Sequence, residues 1–206
     1  MKRCIVIGGA PIKNYEYIKK QLNKDDYFIY GYSGLKHACD LGYNPNKIIG
    51  DFDSFEKPSK LTNVIVLPCE KDDTDTMYAI KYAIKEGFKE FILLGVIGLR
   101  IDHTLGNLAA LLYIDNEGCN GKIIDDFSEI EIVGKNAKYV ADQYKYFSIL
   151  SIGDIISGVS IENAKYPLNE AQITNYYPLG VSNEVIEGKT SKIQIKEGKA
   201  YLIKVF

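Results

Sequence analysis

The sequence predicts an N-terminal α/β domain on a mainly parallel sheet followed by an all-β domain, and three observations carry that expectation. Short β-branched runs alternate with amphipathic stretches through the first part of the chain, as in strand-helix units of a parallel sheet. After about Asp126 the chain turns to short runs separated by Gly, Asn and Pro, and helical periodicity disappears. Its 206 residues, 46% of them hydrophobic, supply enough apolar chain for one large core or two small ones.

The candidate strands of the first domain are Cys4 to Ile7, Tyr27 to Tyr30, Lys47 to Ile49, Val64 to Leu67, Phe91 to Leu94 and Lys122 to Ile124. Met77, Ile80 and Ile84 recur at helical spacing with Lys81 and Lys85 turned outward. They predict a helix that begins near Thr74, a good N-cap, and stops at Gly87. Leu105, Leu108, Ala109 and Leu112 predict a second helix, beginning near Thr104 and ending before Gly118. Beyond Asp126 the runs include Glu129 to Val133, Tyr144 to Leu150 and Lys192 to Ile195. Ile193 and Ile195, the turn Lys196-Glu197-Gly198, and then Tyr201, Ile203 and Val205 predict a closing β-hairpin with one buried face. The expected domains are 1–126 and 127–206.

Composition narrows the function. No apolar run approaches the ~20 residues that cross a bilayer, and the N-terminal stretch is too short and Gly-interrupted for a signal peptide, so the expectation is a soluble, cytoplasmic protein that engages no membrane. Lys+Arg of 25 against Asp+Glu of 27 gives a formal charge of −2. No basic block provides a nucleic-acid footprint, which leaves a small-molecule partner. Four scattered cysteines form no Cys-x-x-Cys pair, and two histidines are too few for a multi-histidine site. A metal here is held largely by oxygen, which favours magnesium over zinc.

Three polar clusters fall in strand-to-helix turns. In Gly50-Asp51-Phe52-Asp53-Ser54, strand alternation turns Asp51 and Asp53 to one side, at the carboxyl end of the sheet where α/β folds bind ligands; an acidic turn is the plainer reading. In Lys71-Asp72-Asp73-Thr74-Asp75, helix capping explains part of the acidity, but three aspartates at one helix entrance repel one another unless a cation neutralises them. In Gly98-Leu99-Arg100-Ile101-Asp102-His103-Thr104, Arg100 suits phosphate, Asp102 can bind metal or accept a proton, and His103 can orient a substrate group. Singly, Arg100 reads as a surface ion pair and His103 as a structural histidine. Together the clusters repeat one polarity three times on one sheet edge. Gly8-Gly9 lacks the spacing of a P-loop or a dinucleotide fingerprint, and Gly180-Val181-Ser182-Asn183-Glu184 reads by itself as a tight turn.

In this order the motifs Gly-Asp-Phe-Asp-Ser, Lys-Asp-x-Thr-Asp, Gly-x-Arg-x-Asp-His with the downstream Asn107, and Ser182-Asn183 resemble the thiamine pyrophosphokinase family over nearly the whole chain. The resemblance implies a three-layer α/β domain followed by a β-sandwich, and transfer of a pyrophosphoryl group from ATP to the hydroxyl of thiamine. It implies Asp51, Asp53 and Asp75 as magnesium (Mg2+) carboxylates, Asp72 and Asp102 as participants, and Lys71 and Arg100 facing phosphate. Thr74, His103 and Asn107 join the nucleotide side. Ser182 and Asn183 approach thiamine, and Asp73 falls at a variable position. The cationic thiazolium needs an aromatic or polar pocket, for which Tyr176 and Tyr177 are candidates, with sheet packing the plainer reading of both. The family's homodimer, with sites formed between the α/β domain of one subunit and the β domain of the other, is implied as well. Two positions depart from the family pattern: Tyr32 stands where an acid is usual after the second strand, and Leu99 replaces a glycine before the arginine.

The mechanism that follows has magnesium and Arg100 dispersing phosphate charge, while Asp72 or Asp102 orients or deprotonates the alcohol. The haloacid-dehalogenase pattern places Thr or Val where this chain has Phe55. Another magnesium- and ATP-dependent small-alcohol kinase, and a non-catalytic nucleotide or thiamine sensor, are the alternatives.

Overall fold

The computed structural model of the chain describes residues 2–51, 63–68, 72–98 and 100–206. They divide into two compact units, Met1–Asp126 and Phe127–Phe206.

The first unit holds six parallel strands: β1 (Arg3–Ile7), β2 (Tyr27–Gly31), β3 (Lys47–Gly50), β4 (Val64–Val66), β5 (Glu90–Leu94) and β6 (Asn120–Ile124). Their order across the sheet is β4-β3-β2-β1-β5-β6, so the chain leaves β1 in one direction and reaches β5 on its other side. Ile7 is level with Tyr30 of β2 and Leu94 of β5. Side chains alternate between two covered faces. Ile5, Ile7, Phe28, Tyr30, Ile92 and Leu94 pack on one face with Ile18 of α1 (Tyr15–Lys19), Leu35 of the 3-10 turn Tyr32–His37 and Leu41 of α2 (Ala38–Leu41). Cys4, Val6, Ile29 and Leu93, equally buried, point to the other face. There α3 (Asp75–Lys85) packs on β1, β2 and β3, α4 (Ile101–Asn116) packs on β6, and the two helices touch each other. Three layers result.

Helix α3 starts where expected, with Thr74 Oγ1 accepting from the Met77 N–H at 3.2 Å. Helix α4 does not. It begins at Ile101, three residues before Thr104, because Thr104 Oγ1 accepts from the Gly98 N–H at 3.2 Å and ties down the preceding loop instead of capping the helix. Its buried stripe is Asn107, Ala110, Leu111 and Ile114, whereas Leu105 and Ala109 are exposed and Leu108 and Leu112 half-buried. Apolar residues surround this helix, so spacing alone selected the wrong stripe.

The second unit is a sandwich of two antiparallel sheets. One has the order β7-β13-β9 and the other β11-β10-β12-β8, where β7 is Ser128–Val133, β8 Lys138–Ala141, β9 Tyr146–Ser151, β10 Ile155–Glu162, β11 Leu168–Thr174, β12 Thr190–Gln194 and β13 Ala200–Val205. Val133, Phe147, Ile149 and Leu202 meet Val140, Ile156, Val159, Ile161 and Ile193 in one core. The expected closing hairpin is not one. β12 pairs with β10 and β8, whereas β13 pairs with β7 and β9, so the turn through Gly198, at φ 87°, carries the chain from one sheet to the other. The inward face of β13 is correspondingly Ala200, Leu202 and Lys204, and Tyr201, Ile203 and Val205 are half-buried on its other side. Lys204 is accommodated by Glu131 at 2.6 Å and Glu129 at 3.6 Å, as a buried ammonium requires.

Candidate active site

The carboxyl ends of β1, β2, β3 and β5 open into a cleft of about 690 Å³, at the point where the strand order reverses. Open α/β sheets bind ligands at such a crevice. Its floor is the loop after β1. The Gly8 N–H donates to Leu94 O at 2.8 Å and the Ala10 N–H to Gly95 O at 2.7 Å. A Cβ at Gly8 would lie 2.6 Å from Gly95 O, and one at Gly98 would lie 2.8 Å from Ala10 Cβ, so glycine lets the β1 and β5 loops interlock. The 3-10 turn after β2 fastens this floor from the side. Lys36 Nζ donates to Gly9 O at 2.6 Å, and His37 Nε2 donates to Ala10 O at 2.9 Å. His37 Nδ1 accepts from the Tyr15 hydroxyl at 2.7 Å. Burial lowers the His37 pKa, the Ala10 bond opposes that shift, and the Lys36 charge adds to it.

On the β3 side, Asp51 directly follows its strand and Asp75 opens α3; both are half-buried and line the cleft. Gly50 makes room for this approach. A Cβ there would sit 3.4 Å from Asp75 Oδ2 and 2.6 Å from Tyr32 Cβ. Thr74 lines the cleft beside Asp75. Asp72 is exposed and outside the lining. Asp73 pairs with Lys81 Nζ at 2.7 Å, which raises the lysine's pKa, chiefly through that hydrogen bond. Its charge thus has a structural partner. Asp53, Lys71, Leu99 and Phe55 lie outside the described residues.

On the β5 side, Arg100, Asp102, His103 and Asn107 all line the cleft. Because α4 starts early, Asp102 and His103 occupy its first turn rather than a loop. Arg100 Nε and Nη2 donate to Asp102 Oδ1 and Oδ2 at 3.2 and 2.6 Å. The hydrogen bond from Arg100 and the His103 N–H push the Asp102 carboxyl down to about 2. Asn107 is buried and its Nδ2 donates to Val96 O at 2.8 Å, so it braces the loop after β5. Gly106 has open space where a side chain would project, keeping that wall of the cleft clear.

In the second unit Ser182 is exposed with φ 58°, and its N–H donates to Ser148 Oγ at 3.0 Å. Asn183 is 5% exposed, and its amide is engaged at both ends. Oδ1 accepts from the Tyr166 and Glu184 N–H groups, and Nδ2 donates to Tyr166 O at 2.8 Å. Tyr176 and Tyr177 are exposed by 83% and 64%. Among the described residues no group of three or more His, Cys, Asp or Glu side chains gathers as a metal cage.

Sequence reasoning passed over Ser33, Lys36 and His37. Their turn follows β2 and lines the same cleft as Asp51, Asp75 and Arg100, and that position after a parallel strand was the available signal. Too short to show periodicity, the turn offered no other.

Two family models match the chain: thiamin pyrophosphokinase, catalytic domain, over residues 18–123, and thiamin pyrophosphokinase, vitamin B1 binding domain, over residues 131–200. The chain is 25% identical over 197 residues to a thiamine pyrophosphokinase of Bacillus subtilis (strain 168), covering 92% of each. Among solved structures, that of thiamin pyrophosphokinase from Geobacillus thermodenitrificans superposes with a TM-score of 0.83 at 25% identity, covering 100% of this chain and 98% of that one. The Bacillus subtilis structure gives 0.87 at 24% identity over 99% of both chains. The yeast structure gives 0.78 at 15% identity, over 100% of this chain and 86% of its own, a likeness of fold.

Proposed function

The chain belongs to the thiamin pyrophosphokinase family, and from that premise we propose how its cleft works. The enzyme is a thiamine diphosphokinase: it moves the pyrophosphoryl group of ATP to the hydroxyl of thiamine, giving thiamine diphosphate and AMP. The alcohol oxygen bonds to the β-phosphorus, the bond from that phosphorus to the α-bridging oxygen breaks, and the hydroxyl proton leaves to a base or to water.

The observation that carries the site reading is the meeting of Asp51, Asp75 and Arg100 around one cleft, although they are far apart in sequence. Asp51 and Asp75 fit magnesium, a hard cation commonly held by one or two carboxylates together with substrate phosphates. Asp53 joins them in this assignment. Bound there, magnesium disperses charge on the phosphate oxygens. Arg100 holds phosphate through its planar donors, and Asp102 sets the guanidinium's direction. Loop 8–10 brings backbone close to the nucleotide, while Asn107 keeps the opposing loop in place. Lys71, Thr74 and His103 complete the phosphate side, and Asp72 helps orient the alcohol. In the second unit Ser182 faces thiamine, and Asn183 shapes the loop that presents it.

The same reading extends to a homodimer. Ile101 and Leu105, exposed by 75% and 61% on α4, offer apolar surface for a second copy to cover. A cytoplasmic setting suits the free thiols of Cys4, Cys39 and Cys119.

The test is an assay with ATP, magnesium and thiamine that separates the nucleotide products. AMP with thiamine diphosphate is the expected outcome; ADP would make the protein a simple kinase. Replacing Asp75→Asn should lower turnover by roughly a thousandfold, the scale of losing a group that organises transition-state charge, with an unchanged thermal melt. Near-normal activity in that variant would remove Asp75 from the metal core.

A further inference from the structure

The cleft lining contains two cationic side chains among the described residues, Arg100 and Lys36. They differ in what already holds them. Arg100 is gripped by the Asp102 carboxylate through two hydrogen bonds. Lys36 has no carboxylate partner among the described residues; its Nζ rests on the Gly9 carbonyl. A neutral carbonyl supplies less Coulomb attraction to an ammonium than an oxyanion does. The Lys36 side chain is exposed, so exchanging one acceptor for the other takes only rotation about its own flexible stem.

The surroundings of Lys36 are polar and fixed. Its neighbour His37 is buried and bonded to Ala10 O and the Tyr15 hydroxyl, which sets where Lys36 leaves the backbone. Ser33 Oγ lies so close to Gly9 that a Cβ at position 9 would overlap it. Bare backbone at Gly9, the Ser33 hydroxyl and the Lys36 ammonium therefore form one wall, on the β2 side of β1. Arg100 belongs to the loop after β5, on the other side of β1. The two cations flank the crevice.

We infer that Lys36, together with the Ser33 hydroxyl, is an anion subsite that takes a phosphate of the nucleoside triphosphate, its ammonium passing from the Gly9 carbonyl to a phosphate oxygen. The inference rests on the proposed reaction for the identity of the ligand. Tyr32, the preceding aromatic residue, is absent from the cleft lining, so the charge that this turn presents to the nucleotide is positive.

The full chain with Lys36→Met, Lys36→Arg or Ser33→Ala tests the subsite, using initial rates at varied ATP and thiamine, direct titration with ATP in the presence of magnesium, and a thermal melt. Losing one charge-assisted hydrogen bond should raise the KM and Kd for ATP about tenfold in Lys36→Met. The KM for thiamine and the melt should stay unchanged, and Lys36→Arg should recover most of the affinity. Ser33→Ala should give a smaller rise. An unaltered ATP Kd in Lys36→Met, a change confined to thiamine, or an Arg variant no better than Met would each overturn the subsite. The two readings fail separately. Loss of ATP affinity in a chain that forms no thiamine diphosphate keeps the subsite and sinks the reaction; unchanged ATP affinity in a chain that does form it does the reverse.

Discussion

Arg100 and Asp102, two residues apart across the start of α4, hold each other through Nε–Oδ1 and Nη2–Oδ2 contacts of 3.2 and 2.6 Å. The pairing keeps Asp102 ionised, with its pKa at about 2. A carboxyl so far below neutrality is a weak proton acceptor at working pH, which favours orientation over deprotonation as its task. Its depressed folded-state pKa means that the pairing is fully present above the ordinary carboxylate range and is lost as pH falls through about 2. The acid limb of kcat/KM should therefore stay at the same pH in Asp102→Asn, while the rate drops roughly 10- to 100-fold, in the range for a mispositioned catalytic group. A pH–rate profile of both proteins checks this, and an acid limb that moves would return Asp102 to the role of base.

His37 links stability to pH in the same direction, through a group held neutral rather than charged. Its folded-state pKa is lowered, chiefly by burial, so the unfolded chain takes up the proton more readily. The contribution of neutral His37 is complete above the ordinary histidine value and is lost as pH falls below it toward the lowered folded value. The melting temperature should fall on acidification from pH 7 to 5, and that part of the fall should be missing in His37→Asn.

Asn183 and Ser182 should separate cleanly. Asn183→Ala removes the partners of the Tyr166 and Glu184 N–H groups and of Tyr166 O, at a cost of about 1 kcal/mol for lost hydrogen bonds in part-buried surroundings, and should raise the KM for thiamine through the disturbed loop. Ser182→Ala should raise that KM with little change in denaturant midpoint. Equal midpoints for the two variants would remove the bracing role from Asn183.

Lys204 sits inside the sandwich with Glu131 and Glu129. Burial pushes the Glu131 carboxyl up, and the Lys204 and Lys138 charges outweigh it, leaving the carboxyl below its ordinary value. Lys204→Ala should destabilise the fold by roughly 1–3 kcal/mol, because Glu131 and Glu129 lose a buried cation while Glu131 keeps Lys138 at 2.7 Å. Lys204→Met combined with Glu131→Leu should recover much of that loss in urea unfolding.

Much of the fold was legible because it is written in local pattern. The β-branched runs found all six parallel strands to within two residues at either end, and Thr74 marked the start of α3. Errors arose where a local signal served a distant partner. Thr104 resembled a helix cap but bonds back to Gly98. Ile193 to Val205 alternated like a hairpin, but its halves pair in different sheets.

At the candidate site, the sequence led to the expectation that Asp51, Asp75, Arg100 and Asp102 emerge on one sheet edge, and all four line one cleft, because each follows or lies close behind the carboxyl end of a parallel strand. The tertiary structure decided that Asp73 is engaged by Lys81 and Asp102 by Arg100. It alone brought in Lys36 and His37, whose partners are the carbonyls of Gly9 and Ala10, 27 residues away. Backbone carbonyls are the same at every position in the sequence. Only the folded path of the chain gives two of them a place, and so gives those side chains a task.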